Sequence, residues 1–313
     1  MNILITGVSG FLGARIFSKV SGVITGFGRN YLEEFDGPFY IKTMAQNIDY
    51  SDCLANQNVV IHCAARVHVM ADDSLDPLSS FREVNTAGTL NLARQAAKAG
   101  VRRFIFISSI KVNGESTEKD TRFSSRDKHK PEDPYGISKA EAENGLNEIA
   151  QESGMELVVI RPTLVYGEGV KGNFLNLLRL SKLPIPLPFG RVNNKRSMVY
   201  LDNLVDLIIT CIDHPNAANR IFLASDGDDL SLVRLLTLIR ASMNKSPSLL
   251  PIPMGLFRLL GKLFGKAAVV DRLIGNLQVD SGDANSCLGW SAPYTVEQGI
   301  KATVDDFLNK SSR

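Results

Sequence analysis

The chain has 313 residues, of which 44% are hydrophobic and 22% charged, and its formal net charge at pH 7 is +2. This composition is typical of folded globular proteins and excludes disordered, collagen-like and coiled-coil chains. The length suits one large domain or two joined domains, and the sequence has no dense basic run of the kind that marks a nucleic-acid-binding protein.

The cysteines and histidines indicate neither a disulfide scaffold nor a metal site. The four cysteines lie far apart, form no Cys-x-x-Cys pair and have no metal-ligand spacing to the four histidines. The first residues, MNILITG, lack the basic region of a signal peptide, and no apolar run is long enough to cross a membrane. We therefore expect a cytoplasmic protein without a metal or an integral membrane segment.

Continuous apolar runs predict six strands, at residues 2–6, 23–27, 59–63, 104–108, 157–161 and 220–224. Runs that do not alternate with polar residues are typical of strands buried on both faces of a parallel sheet. Helical spacing predicts helices at residues 85–99, 139–152, 201–213 and 230–243. Alternating strands and helices predict an α/β fold with a Rossmann-type doubly wound parallel sheet.

A glycine-rich loop directly follows the first predicted strand and opens a helix. Gly7 permits the tight turn, Gly10 lets the backbone approach a pyrophosphate, and Gly13 allows the helix to pack closely on the strand. The helix N-terminus then offers N–H groups and the positive end of its dipole to the phosphates. This context predicts a dinucleotide-binding site.

The end of the second predicted strand bears on which dinucleotide binds. NAD enzymes usually carry an acidic residue there, about 20 residues past the glycines, to hold the ribose hydroxyls. This strand ends in Gly28, Arg29 and Asn30, with no acid before Glu33. Because Arg29 could pair with a 2′-phosphate through two hydrogen bonds, we expect NADP; NAD is the alternative if Arg29 is only a solvated loop residue.

Three polar residues predict hydride-transfer chemistry. Tyr135 and Lys139 stand four residues apart on one face of a helix, and Ser109 follows the fourth predicted strand. A free tyrosine has a pKa of about 10, which a nearby ammonium and an oxidised nicotinamide would lower. Tyr135 would then exchange a proton with the substrate oxygen while Ser109 orients that oxygen.

These motifs resemble the extended short-chain dehydrogenases/reductases of the nucleotide-sugar epimerase/dehydratase type. The matching segments span residues 6–208. They are TGVSGFLG (6–13), HCAAR (62–66), VNTAGTLNL (84–92), FISSIKVNG (106–114), YGISK (135–139), RPTLVYG (161–167) and RSMVYLDNLVDLI (196–208).

The resemblance implies residue roles around a cofactor and a substrate. Asp49 and Tyr50 would border the adenine, and Lys139 would also hold the nicotinamide ribose. The other cofactor-binding positions implied are Gly7, Gly10, Phe11, Leu12, Gly13, Arg29, Ala64, Ala65, Arg66, Asn85, Ser108, Tyr135 and Pro162. The substrate positions implied are Lys111, Asn113, Asn173 and Arg196.

The same resemblance implies two domains. The dinucleotide-binding Rossmann domain would comprise residues 1–166, with residues 197–225 returning to it. Residues 167–196 and 226–313 would form a smaller C-terminal substrate-binding domain. The polar segment 115–133 is either a solvated surface loop or a lid over the site.

Departures from the family pattern guide the choice of reaction. No acid pair follows Ser109, which argues against dehydration, and Asn113 stands where sugar 4-epimerases usually have tyrosine. The segments at 108–115, 171–174 and 193–208 resemble a bacterial group of 4-keto reductases of lipopolysaccharide O-antigen synthesis. We therefore expect an NADPH-dependent reductase of a UDP-linked 4-keto-6-deoxy-N-acetylhexosamine. The alternatives are a UDP-glucose or UDP-N-acetylglucosamine 4-epimerase with bound NAD, acting on the UDP-sugar or on a polyprenyl-diphosphate-linked sugar, and a non-catalytic NADP-binding sensor.

The segment 253–267 mixes apolar and basic residues. We expect it to be a helix of the substrate domain, and the alternative is an interfacial helix with weak peripheral membrane contact. The partners expected are a UDP-sugar and, as the family default, a second copy of the chain in a homodimer.

Overall fold

The computed structural model describes residues 1–33, 35–67, 76–253, 255–256, 271 and 273–311. Seven parallel strands form one sheet in the order β3-β2-β1-β4-β5-β6-β9. They are β1 (Asn2–Thr6), β2 (Val23–Gly28), β3 (Phe39–Ile41), β4 (Val59–His62), β5 (Arg103–Ile107), β6 (Glu156–Pro162) and β9 (Arg220–Ala224). Two short strands, β7 (Leu164–Tyr166) and β8 (Met198–Tyr200), pair in parallel with each other. The Rossmann-type α/β fold is thereby confirmed.

Helices cover both faces of the sheet. The α-helices named here, including those that pack elsewhere, are in chain order α1 (Phe11–Phe17), α2 (Ser51–Leu54), α3 (Pro77–Phe81), α4 (Thr89–Lys98), α5 (Pro134–Ser153), α6 (Gly172–Lys182), α7 (Leu201–Asp213), α8 (Leu232–Ser242), α9 (Gly282–Leu288) and α10 (Val296–Ser311). None of the helices in the described ranges is long and apolar enough to cross a membrane.

Each buried strand contributes alternate side chains to two hydrophobic cores. Ile3 and Ile5 of β1 pack with α1, α7 and α9 on one face, whereas Leu4 packs with α2, α4 and α5 on the other. Because both faces are apolar, the strands read as continuous rather than alternating runs. A third core joins β7 and β8 to α6, α8 and α10.

The helix predicted at 201–213 is present with those bounds, and the other three predicted helices are present with shifted ends. The helix predicted at 139–152 starts earlier, at Pro134, because Asp133 caps it by accepting a hydrogen bond of 2.7 Å from the Gly136 N–H. The helix predicted at 85–99 is α4 preceded by a π-helical stretch, Arg82–Gly88, that follows α3. Short strands such as β3 escaped prediction, since three residues carry too little periodicity.

The segment 115–133 has defined tertiary contacts. The Phe123 N–H donates to the Gln278 carbonyl at 2.9 Å, and the Thr117 N–H donates to Asn276 at 3.0 Å, so the segment lies along residues 276–280. Of the amphipathic segment predicted at 253–267, residues 254 and 257–267 lie outside the described residues.

A buried arginine joins the sheet to the end of α7. Arg103 on β5 is 1% exposed and donates to the carbonyls of Cys211 and His214 at 2.7 and 3.1 Å. Its Nε also donates to Glu156 at 2.7 Å. Its neighbour Arg102 pairs with the same Glu156 at 2.9 Å but is 43% exposed.

We expect Arg103→Met to lower the free energy of unfolding by about 2–4 kcal/mol, because it leaves buried carbonyls without a donor. Arg102→Met is the comparison and should cost about 1 kcal/mol, because its ion pair with Glu156 is exposed and only the Ile212 carbonyl loses a donor. Urea unfolding of the two variants measures both values. Equal losses would contradict the role given to Arg103.

Candidate active site

The candidate site lies at the carboxyl-end edge of the sheet. The glycine loop follows β1, residues 63–67 follow β4, and Ser108 and Ser109 follow β5. These three strands are neighbours and run parallel, so their carboxyl ends meet at one edge. Arg29 follows β2 and Pro162 ends β6 at the same edge.

The glycine loop leaves no room for a Cβ atom at Gly7 or Gly13. Gly7 has a φ of +70°, and a Cβ there would lie 2.8 Å from the Ala64 N. A Cβ on Gly13 would lie 2.3 Å from the Gly7 carbonyl oxygen. Phe11 and Leu12 are partly buried at the start of α1. This is the arrangement that brings backbone N–H groups against a pyrophosphate, so the loop fits a dinucleotide.

A buried histidine ties the loops after β1 and β4 together. His62 Nδ1 lies 2.6 Å from Thr6 Oγ1, and its Nε2 lies 2.8 Å from Thr89 Oγ1. The Ala64 N–H also donates to Thr6 Oγ1 at 3.1 Å. Burial, with a smaller effect of the Lys139 charge, lowers the pKa of His62 to about 3, so the imidazole is neutral at pH 7. A histidine within an apolar strand run was the available signal for it.

Asn85 fixes the chain that follows β4. It is fully buried, and its amide accepts from the Arg66 N–H at 2.8 Å and donates to the Arg66 carbonyl at 3.0 Å. The same amide donates to Ser138 Oγ on α5 at 3.1 Å. Ala64 and Ala65 are partly buried beside this segment. Asn85 therefore holds the 63–67 loop against the helix that carries Tyr135.

The adenosine side of the site agrees only in part with expectation. Arg29 and Asp49 are both exposed. Tyr50, by contrast, is fully buried, packs edge-on against Phe27 and donates from its hydroxyl to the Thr43 carbonyl at 3.0 Å. Its side chain belongs to the core, so only its main chain is left to border an adenine.

Ser109 begins a turn that contacts the start of α5, the helix that carries Tyr135 and Lys139. Ser109 caps the turn Ile110–Val112, accepting from the Lys111 N–H at 3.3 Å. Tyr135 sits in the first turn of α5 with its ring edge against Phe81. Lys139 is buried; its ammonium donates to the Ile107 carbonyl at 2.9 Å and lies 4.4 Å from the centre of the Phe106 ring.

The pKa values differ from the expectation for a tyrosine base. Burial, reinforced by the Asp133 charge, raises the pKa of Tyr135 to about 12, whereas burial lowers the pKa of Lys139 to about 8. The protein alone therefore keeps Tyr135 as a neutral phenol at pH 7. An oxidised nicotinamide would add positive charge from outside the chain, which would favour the phenolate and lower this pKa.

A buried polar cluster underlies this site and was not predicted. Glu143 is 4% exposed and Arg161 1%; they pair at 2.6 Å, and Ser108 donates its hydroxyl to Glu143. His129 Nε2 lies 2.8 Å from Arg161 and 3.3 Å from Glu143. An arginine within an apolar strand run, and a glutamate four residues after Lys139, were the signals for it.

Two predicted ligands are already engaged within the protein. Ser108 is committed to Glu143 rather than facing a cofactor. Asn113 is 2% exposed, accepts from Arg161 at 2.9 Å and donates to the Ser124 carbonyl at 2.8 Å, so its side chain is structural rather than substrate-facing.

The other predicted substrate positions lie on different elements. Lys111 is ion-paired with both Asp133 and Glu115. Asn173 is exposed in the first turn of α6, and Arg196 is partly buried and donates to the Gly275 carbonyl at 3.2 Å.

The chain is similar in sequence to a known protein family and to named bacterial proteins. The profile of the "NAD dependent epimerase/dehydratase family" matches residues 3–224. A Vibrio cholerae protein named UDP-glucose 4-epimerase is 49% identical, covering 100% of this chain and 97% of its own. A protein of Escherichia coli O157:H7, named N-acetyl-alpha-D-glucosaminyl-diphospho-ditrans,octacis-undecaprenol 4-epimerase, is 31% identical, covering 97% and 94%.

Among solved structures, the UDP-glucose 4-epimerase of Thermotoga maritima, crystallised with UDP-glucose, superposes with a TM-score of 0.78. It is 23% identical and covers 100% of both chains. This likeness supports the fold.

The Glu143–Arg161 pair yields a stability prediction. Burial alone would raise the pKa of Glu143, but its hydrogen-bonding neighbours His129, Arg161 and Ser108 outweigh burial and lower it below the ordinary 4.5. We expect Glu143→Gln to lower the free energy of unfolding by about 3–5 kcal/mol at neutral pH, because it leaves Arg161 buried and unpaired. A glutamate with a lowered folded pKa stabilises fully above 4.5, and this contribution is lost as pH falls through the folded value.

Glu141→Gln is the matched control on the same helix, since Glu141 pairs with Arg82 at the surface. It should cost less than about 1 kcal/mol. Denaturant unfolding at neutral and acidic pH would show the two variants diverging only at the higher pH. A gap that stays constant into strong acid would refute the assignment.

Proposed function

The chain belongs to the NAD dependent epimerase/dehydratase family, and within it we propose a 4-epimerase of a UDP-linked hexose or N-acetylhexosamine that works through a bound nicotinamide dinucleotide. The observation that carries the proposal is that Ser109 caps a turn in contact with the start of α5, the helix of Tyr135 and the buried Lys139, at the same sheet edge as the closely packed glycine loop. The 49% identity to a protein named UDP-glucose 4-epimerase supports the same reaction.

In this reaction each catalytic residue acts at a stated atom. Tyr135 takes the proton of the C4 hydroxyl. It returns the proton to the same oxygen after the 4-keto sugar has rotated to present its opposite face. Ser109 donates a hydrogen bond to the same oxygen, and Lys139 holds the nicotinamide ribose. A dinucleotide held at the glycine loop would supply the acceptor of the C4 hydride and its donor for return to the opposite face.

The remaining assignments belong to the same proposal. We propose that the described residues within 167–196 and 226–311 bind the sugar nucleotide and that Asn173 and Arg196 contact its diphosphate. An arginine suits a diphosphate because its planar fork matches two oxygens. A role in surface polysaccharide synthesis, a cytoplasmic location and a homodimer remain predictions of the sequence. The relative that acts on an undecaprenol-linked sugar makes a lipid-linked substrate the variant to test beside UDP-sugars.

One observation favours a second function, the NADPH-dependent 4-keto reductase expected from the sequence. Arg29 is exposed directly after β2, where an acid would repel a 2′-phosphate. An enzyme that consumes its reductant draws on NADPH, whereas an epimerase recycles its cofactor. The relatives named 4-epimerases favour the 4-epimerase. A preference for NADPH over NADH would favour the 4-keto reductase.

We expect Tyr135→Phe to lower the rate of UDP-glucose to UDP-galactose conversion by roughly 10²–10⁴-fold, because it removes the proton-exchanging group. Tyr294→Phe is the control, since Tyr294 packs against Tyr200 away from the site. The assay separates the sugars after incubation with purified protein, with and without added NAD, and is repeated with UDP-N-acetylglucosamine and a polyprenyl-diphosphate-linked sugar. If none is converted while NADPH is oxidised stoichiometrically by a UDP-4-keto sugar, the reductase replaces the epimerase.

We expect Arg29→Ala to weaken NADPH binding by roughly 10–100-fold and to leave NADH binding within about twofold, because only NADPH carries the 2′-phosphate that Arg29 can pair with. Arg94→Ala on α4 is the control for loss of a surface arginine. Titration of each reduced cofactor by its fluorescence measures the affinities. Equal losses for both cofactors would remove the argument for NADP.

A further inference from the structure

We propose that Lys111 is a positioning residue that tunes Tyr135: by pairing with the helix-capping Asp133, it offsets a negative charge that would otherwise hold the tyrosine in its protonated form. The inference rests on the proposed function for its importance, because only a reaction that ionises Tyr135 makes this charge matter. It changes the role that the sequence suggested for Lys111, which was contact with the substrate.

A carboxylate at the start of α5 opposes the ionisation of Tyr135. Asp133 caps the helix by accepting from the Gly136 N–H at 2.7 Å, and it lies two residues before Tyr135. A carboxylate is favourable at this position because it meets the positive end of the helix dipole. The same carboxylate opposes ionisation of the phenol beside it, and its charge contributes to the raised pKa of Tyr135.

The turn Ile110–Val112 places a cation on that carboxylate. The Lys111 ammonium pairs with Asp133 and, at 2.9 Å, with Glu115. The backbone of this turn touches the start of the helix, since a Cβ on Gly136 would lie 2.9 Å from the Lys111 carbonyl oxygen. Lys111 is 29% exposed, so water screens its charge only in part.

Other charged groups of the described residues near Tyr135 do not replace Lys111. Lys139 is directed to the Ile107 carbonyl and the Phe106 ring. Arg66 lies 5.7 Å from the centre of the Phe81 ring, which packs against Tyr135 on its other side. Glu115 carries a negative charge that Lys111 also offsets. Among the described residues, Lys111 thus places a cation directly on the carboxylate that acts on the tyrosine.

The test is a titration of the Tyr135 phenol in the protein–NAD complex without substrate. Ultraviolet absorbance reports phenolate formation as pH is raised, and subtraction of the same curve for Tyr135→Phe isolates Tyr135 from the other tyrosines. We expect Lys111→Met to raise the pKa of Tyr135 by roughly 0.5–1 unit, because it removes one positive charge from a partly exposed position near the start of α5. Asp133→Asn, which keeps a capping side chain, should lower it, and the double variant should lie between the two single variants, because the effects of the two charges on the phenol add.

Lys301→Met is the control, because it breaks an ion pair on α10, and should leave the titration unchanged. An unshifted pKa of Tyr135 in folded Lys111→Met overturns the inference, as does a pKa of Tyr135 that does not fall in folded Asp133→Asn. Since no sugar is present, these outcomes are independent of whether the chain is an epimerase. Where turnover is measurable, tuning moves the pH profile of kcat, whereas direct substrate contact raises KM with the profile unmoved.

Discussion

The direction of the strands is the constraint on which the whole site depends. All seven strands of the main sheet run parallel, so every segment that leaves a strand's carboxyl end emerges at the same edge. Gly7, Ala64 and Ser109 are far apart in the chain but stand at the ends of three neighbouring strands. A parallel sheet of this kind has apolar side chains on both faces, and helices on both sides bury them.

Beneath the candidate site, polar groups are buried where apolar ones would pack more simply. Glu143 and Arg161 join α5 to β6, and through Ser108 they reach the end of β5. Replacing such a pair with apolar side chains is often neutral for stability, so its value lies in geometry rather than in free energy. Here the pair fixes the helix that carries Tyr135 relative to the strand that leads into Ser109. Asn85 also fixes the position of that helix, because it joins Ser138 to the loop after β4.

The sequence was informative where a local pattern has one physical meaning. Apolar runs predicted the long central strands, and the spacing of Gly7, Gly10 and Gly13 predicted a loop that the structure packs without room for a Cβ. It failed where function depends on partners distant in the chain. Tyr50, Ser108 and Asn113 match a family pattern, yet their side chains are engaged by core residues that no spacing reveals. The pKa of Tyr135 likewise depends on burial and on Asp133, and a Tyr-x-x-x-Lys motif specifies neither in advance.

The last strand of the sheet carries a consequence for synthesis on the ribosome. β9 pairs with β6 in register from Val158 with Arg220 to Pro162 with Ala224, after a long excursion through β7, α6, β8 and α7. Until that excursion has been translated, the nascent chain holds six strands whose final edge has unpaired N–H and carbonyl groups along an apolar strand. Such an edge invites pairing with another chain. Protecting β6 during this interval, by chaperone or by rapid elongation, is a requirement that the order of the elements imposes on the cell.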